Sequence, residues 1–160
     1  MIDLFFRLAY RSAYRLMRVY WAVRHPQAHG ALVAIWHDGK ILLVQNSYVP
    51  YRSLPGGYVH SHETGRDAAL RELREETGIQ ATSSDLKPVV DEHHEWEGKR
   101  EHIEIFELDV TERPHIEVDN REVVQAGFFS PQEALGLVLF PPLRRVIERR
   151  LTTPARAAHP

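Results

Sequence analysis

The sequence predicts an α/β fold: a mixed sheet held between helices as an α/β/α sandwich, with an amphipathic helix added at the N-terminus. Runs rich in β-branched and aromatic residues, some alternating in polarity, are bounded by turn residues and read as strands. Helical segments fall both between these runs and after them, which puts helices on both sheet faces. The 160 residues, 43% hydrophobic and 26% charged, suit one domain with a substantial core. The expected organisation is a basic amphipathic helix over 1–25, a domain over 28–151 and a disordered tail over 152–160.

In the first segment Arg7, Arg11, Arg15 and Arg18 recur at spacings of four, four and three, one basic stripe on a helix. Leu4, Phe5, Leu8, Leu16, Val19 and Val23 form an apolar stripe that Phe6, Tyr10, Met17, Tyr20 and Trp21 widen. Arginines run through the apolar part, so the segment is neither a membrane span nor an ordinary signal peptide. A face this wide needs cover. Its own domain, a second copy forming a homodimer, an anionic membrane surface met peripherally and a targeting role all stay open.

His25-Pro26 ends that helix, because the residue before proline disfavours helical backbone. Ala31 to Trp36 reads as a buried strand, Asp38-Gly39 as a hairpin turn and Ile41 to Val44 as the returning strand. Asn46 to Arg52 is a loop with two tyrosines and a proline. Arg66 to Thr77 has helical periodicity, started near Glu63-Thr64 and stopped by Gly78. Val89-Val90 begins a strand, a turn spans Glu97 to Arg100, and His102 to Val110 alternates as a half-buried strand. Val123 to Phe129 is a further strand. Ser130-Pro131 with Glu133 caps a helix over Ala134 to Val138, and Pro141-Pro142 opens the last one.

The most specific stretch is Gly57 to Ile79, GYVHSHETGRDAALRELREETGI. Glu72, Glu75 and Glu76 lie at i, i+3 and i+4, so a helix puts all three carboxylates on one face. Such a face repels itself unless a cation neutralises it, and clustered oxygens suit a hard ion such as Mg²⁺. The segment resembles the Nudix box of the Nudix hydrolases, with Gly57, Glu63, Arg71, Glu72, Leu73, Glu75, Glu76, Gly78 and Ile79 at every constrained position. Leu54-Pro55-Gly56-Gly57 also resembles that family's entry loop.

The resemblance implies a Nudix-type sandwich and hydrolysis of a diphosphate linkage in a nucleoside diphosphate joined to another group X, such as a nucleotide sugar or ADP-ribose. It further implies Mg²⁺, or Mn²⁺ in its place, held by Glu72, Glu75, Glu76 and the Gly56 carbonyl. Arg71 is expected to pair with a box glutamate, such as Glu63, and orient the carboxylates. Glu72 and Glu75 are also expected to serve the reaction by orienting the attacking water, and the general base is expected to be a box glutamate or the later Glu122, with Glu117 and Glu95 behind. Tyr48, Tyr51 and Tyr58 are candidates to stack on a base. Arg52, where relatives often have tryptophan, and Arg100 beside Lys99 are candidates for phosphate contact.

Composition narrows the partners. A net charge of -2 offers no basic excess for DNA; a small nucleotide as ligand is what the Nudix resemblance implies. The chain has no cysteine, which excludes disulfides and thiolate metal sites and fits a reducing, cytoplasmic compartment. The ten histidines are scattered along the sequence and read as exposed loop residues rather than as a zinc site. Two other functions stay open: a sensing or partner-binding module without turnover, and removal of RNA 5′-pyrophosphate, for which basic helix residues would supply the surface.

Overall fold

A computed structural model describes residues 2–116, 118 and 120–152. The expected tail therefore lies outside the described residues except for Thr152, which is the last helical residue rather than part of a tail. Glu117 also lies outside them.

The elements run α1 (Ile2–Arg24), β1 (Gln27–His37), β2 (Lys40–Asn46), β3 (Gly56–Tyr58), α2 (Gly65–Thr77), β4 (Lys87–Trp96), β5 (Lys99–Asp109), β6 (Val123–Phe129), α3 (Pro131–Leu135) and α4 (Pro141–Thr152). The sheet order is β4-β5-β1-β2-β6, with β3 also on β1. The β1–β5 pair is parallel and the other pairings are antiparallel, so the sheet is mixed as expected.

Two cores follow from strand alternation. Leu32, Ala34 and Trp36 of β1 join Ile103 and Ile105 of β5 under α3 and α4. Ala31, Val33 and Ile35 join Phe106 and Leu108 under α2, which buries Ala68, Ala69 and Leu73. Strand β1 changes partner along one edge, and this positions the site. Gly30 to Leu32 pair with β3, whereas Trp36 and His37 pair with β2. The sheet forks between β2 and β3.

Two boundaries move. Glu97 (φ 50°) and Gly98 (φ 80°) alone make the β4–β5 turn, so Lys99 and Arg100 belong to β5. A two-residue turn with both φ values positive suits the twist of the paired strands. Helix α3 stops at Leu135, short of Val138.

Helix α1 meets the domain on a different face from the expected apolar stripe. Tyr10 and Tyr14 pack against Tyr48, Arg7 donates to the Asn120 carbonyl (2.7 Å) and Arg11 to the Ser47 carbonyl (2.8 Å). Trp21 is buried. Leu4, Phe5, Leu8, Leu16, Val19 and Val23 stay exposed, because arginines separate them from the aromatic face. Among the described residues no helix is long and apolar enough to cross a membrane.

Candidate active site

The site begins at Gly56. Its φ is 143°, and a Cβ there would lie 2.7 Å from Leu32 Cα, so glycine is what lets β3 lie against β1. The Gly56 N–H donates to a Glu76 carboxylate oxygen at 2.9 Å, tying the last turn of α2 back to the strand. At the other end of α2, Thr64 and Asp67 form a capping box, and Gly78 closes the helix at φ 72°.

Helical periodicity then sorts the side chains. Leu73 is fully buried against the sheet, while Glu72, Glu75 and Glu76 line a cleft of about 520 Å³ at the fork. Arg71 organises this face. Its guanidinium donates to both Glu63 oxygens (2.8 and 3.2 Å), to Glu72 Oε1 (2.6 Å) and to the Tyr58 carbonyl (3.1 Å), with Glu75 at 3.6 Å. Arg71, helped by the His60 N–H, holds the Glu63 carboxyl down at about 2. Glu63 and Glu72 in turn push the Arg71 guanidinium up.

The opposite wall is aromatic. Tyr51, Tyr58, Trp96 and Phe140 line the cleft, which continues under α1 into a second space of about 380 Å³ walled by Tyr14, Met17 and Trp21. Tyr48, Tyr51, Tyr58, Lys99 and Glu122 border both spaces. Burial raises Tyr14, Tyr48 and Tyr51, so these phenols remain hydroxyl donors. Tyr14 donates to Glu97, and Tyr48 donates to Glu122 at 3.0 Å.

Lys99 is the site residue that sequence reasoning undervalued. The sequence sets it in a turn beside Arg100, but it is buried, paired with Glu101, and sits 4.3 Å from the Trp21 ring centre. Burial works to depress its ammonium; the bond to Glu101 and the Tyr58 phenol outweigh that and leave it raised and charged. The available signal was alternation. Lys99, Glu101, Ile103 and Ile105 are the inward set of one strand.

Of the expected site residues, Gly56, Glu72, Glu75, Glu76, Tyr48, Tyr58 and Glu122 line the cleft, and Arg71 lies behind it, bonded to Glu72. Arg52 and Arg100 are not among the lining residues. Arg52 donates to Gln125 (2.6 Å) and lies over Phe129, because its backbone bridges to Leu139. Arg100 alternates to the other side of β5 and lines a separate cavity, as does Glu95.

The NUDIX domain model matches residues 26–151. This chain belongs to the NUDIX family. A MutT NUDIX hydrolase from Burkholderia pseudomallei superposes with a TM-score of 0.66 at 25% identity, over 76% of this chain and 96% of that one. The Escherichia coli ORF135 protein gives 0.60 at 29% identity, over 84% and 96%. An ADP-ribose pyrophosphatase from Methanocaldococcus jannaschii is 44% identical over 45 residues, 26% of this chain and 27% of that relative. The chain matches only 27% to 38% of the length of such curated relatives.

Proposed function

We propose that this chain hydrolyses a diphosphate linkage within a nucleoside diphosphate joined to a further group, using a divalent cation held by Glu72, Glu75 and Glu76. The observation that carries this reading is their convergence, from one helix face, on a cleft whose far wall is aromatic. NUDIX membership supports the same reaction class. The donor set fits a hard cation such as Mg²⁺ or Mn²⁺: it is all carboxylate, and the space beside Gly57 is open enough for the Glu72 carboxylate to occupy. When bound, such a cation neutralises phosphate charge and lowers the pKa of water.

The rest falls to side chains. Arg71 fixes Glu72 and Glu63, so the carboxylates need not reorganise on binding. Water attacks one phosphorus, the bridging P–O bond breaks, and Glu122 or Glu75 takes the water's proton. Tyr58 and Trp96 offer faces for a planar group, and Lys99 supplies positive charge beside them. The similarity to an ADP-ribose pyrophosphatase makes ADP-ribose the first substrate to try. The test is a panel of ADP-ribose, nucleotide sugars, dinucleoside polyphosphates and nucleoside triphosphates with Mg²⁺ or Mn²⁺. We expect turnover that disappears in Glu75→Gln or Glu76→Gln. Tight binding of one member without cleavage of any would replace this reading with the sensing module.

The exposed α1 stripe is the surface we assign to self-association. Light scattering of the full chain against a Leu16→Glu, Val19→Glu variant tests it. A monomer that co-sediments with anionic vesicles would overturn it in favour of membrane contact.

A further inference from the structure

The face of the β1–β5 pair turned away from the cleft carries a second cluster, built from histidine. His29 of β1, His102 of β5 and His93 of β4 occupy one register row across three strands. Residues in register share a face, so the rings stack. His29 and His102 lie 4.2 Å apart, centre to centre, at 18°, and His102 and His93 lie 4.3 Å apart at 3°. Two residues along, Glu104 and Asp91 add carboxylates to the same face. His29 Nε2 is 2.7 Å from a Glu104 oxygen, and His102 Nε2 is 2.7 Å from an Asp91 oxygen. These histidines belong to strands and not to exposed loops, and strand pairing gathers what sequence left scattered.

The geometry points to a site for a borderline-soft divalent cation, Zn²⁺, ligated by His29, His102 and Glu104, with Asp91 in reach as a fourth ligand; we propose it as a metal centre separate from the box. Ligand atoms of His29, His102 and Glu104 all lie within 4.8 Å of one another. Four-coordinate zinc, with bonds of about 2.1 Å, needs separations of roughly 3.4 Å and both ring nitrogens aimed at one point, which requires side-chain rotations that turn the stacked rings out of parallel. The side chains have room to make them, at 34%, 27% and 22% exposure for His29, His102 and Glu104. Entry is open too, because His29 and His102 line a cavity of about 990 Å³. A cation there would replace two histidine–carboxylate hydrogen bonds with bonds to the same atoms, and would tie β1 to β5.

Donor chemistry separates this site from the cleft. Imidazole nitrogens with a carboxylate select zinc over Mg²⁺, whereas the all-oxygen box face favours Mg²⁺. The test uses the full chain stripped by a chelator, with excess Mg²⁺ present. Zinc affinity is read by competition with a chromogenic chelator, and Co²⁺ serves as a visible-absorbing stand-in. We expect one Zn²⁺ per chain and the Co²⁺ absorption of a four-coordinate nitrogen–oxygen site. Both should survive Glu75→Gln with Glu76→Gln, and His29→Gln with His102→Gln should weaken zinc by at least about 100-fold. The single Glu104→Gln, which leaves the histidine stack, should weaken it by at least about 10-fold. Unchanged zinc affinity in the histidine variant would overturn the site, as would loss confined to Glu75→Gln with Glu76→Gln. The metal-free melting temperature of each variant separates lost ligands from lost fold.

Discussion

The β1–β5 pair carries one polar array on each face, and the two are assembled by different means. On one side Lys99 and Glu101 look into a cleft completed by Glu72, Glu75 and Glu76. On the other, His29, His102 and Glu104 form an oxygen-and-nitrogen cluster. The first array takes its metal-binding type of side chain from one turn of one helix, so spacing alone brings the groups together. The second depends on residues 29, 93 and 102 meeting through strand register. Chemistry carried by a contiguous segment can be read before the fold is known; chemistry made by pairing cannot.

The sharpest way to separate the faces is Glu76→Gln. Glutamine keeps an oxygen for the Gly56 N–H but removes the charge. Turnover should fall by at least about 10²-fold, with Co²⁺ absorption at the histidine cluster unchanged. Near-normal turnover at saturating metal would end the role of Glu76 as a required ligand. Next is Gly56→Ala, which acts on the fork itself. With φ at 143° and Leu32 Cα 2.7 Å from the added Cβ, the substitution should cost on the order of 3 kcal/mol in urea unfolding. An unchanged midpoint would show that the β1–β3 contact can relax.

The same contrast explains what was legible. The α2 helix, its Thr64 start and its Gly78 stop lie in local sequence, as does the Asp38-Gly39 turn. Strand β6 matches its expected span because its apolar run is bounded on both sides. Strand β5 was expected to start at His102, since Lys99 and Glu101 look like surface residues until burial by Trp21 and pairing with each other are seen. Helix α1 misled differently. Its widest apolar stripe is not the face that docks, because tyrosine and arginine contacts to Tyr48, Ser47 and Asn120 set its rotation. Arg52 stands where relatives often have tryptophan, yet its side chain bonds Gln125, and alternation along β5 turns Arg100 into the separate cavity.

A third experiment tests whether the acidic face is pre-ordered by Arg71. Because the Glu63 carboxyl is held at about 2, below its ordinary range near ~4.3, the Arg71–Glu63 pair stabilises the fold while Glu63 is ionised. That contribution is complete above the ordinary value and is lost as pH falls through the window toward 2. Arg71→Gln lacks the pair at every pH. The gap in melting temperature between wild type and variant should therefore be widest near neutrality and close across that acidic window. A gap independent of pH would mean that Arg71 acts through the Tyr58 carbonyl, which does not titrate, instead.

The smallest effect is expected at the border between the cleft and α1. Trp21 covers Lys99 at 4.3 Å and walls the second space, yet it lies among no carboxylate ligands. Trp21→Ala should raise KM for the preferred nucleotide several-fold, on the order of 1 kcal/mol for a lost aromatic contact, and leave kcat within about twofold. The variant also exposes the Lys99–Glu101 pair to water, which weakens their attraction. Raising the salt concentration should then raise KM further in the variant than in wild type, since screening acts most on exposed charges. Equal KM values at every salt concentration would confine α1 to a structural lid over Lys99. A fall in kcat as large as that of Glu76→Gln would instead make α1 part of the reacting centre, and the two faces of the β1–β5 pair would no longer be the natural division of this molecule.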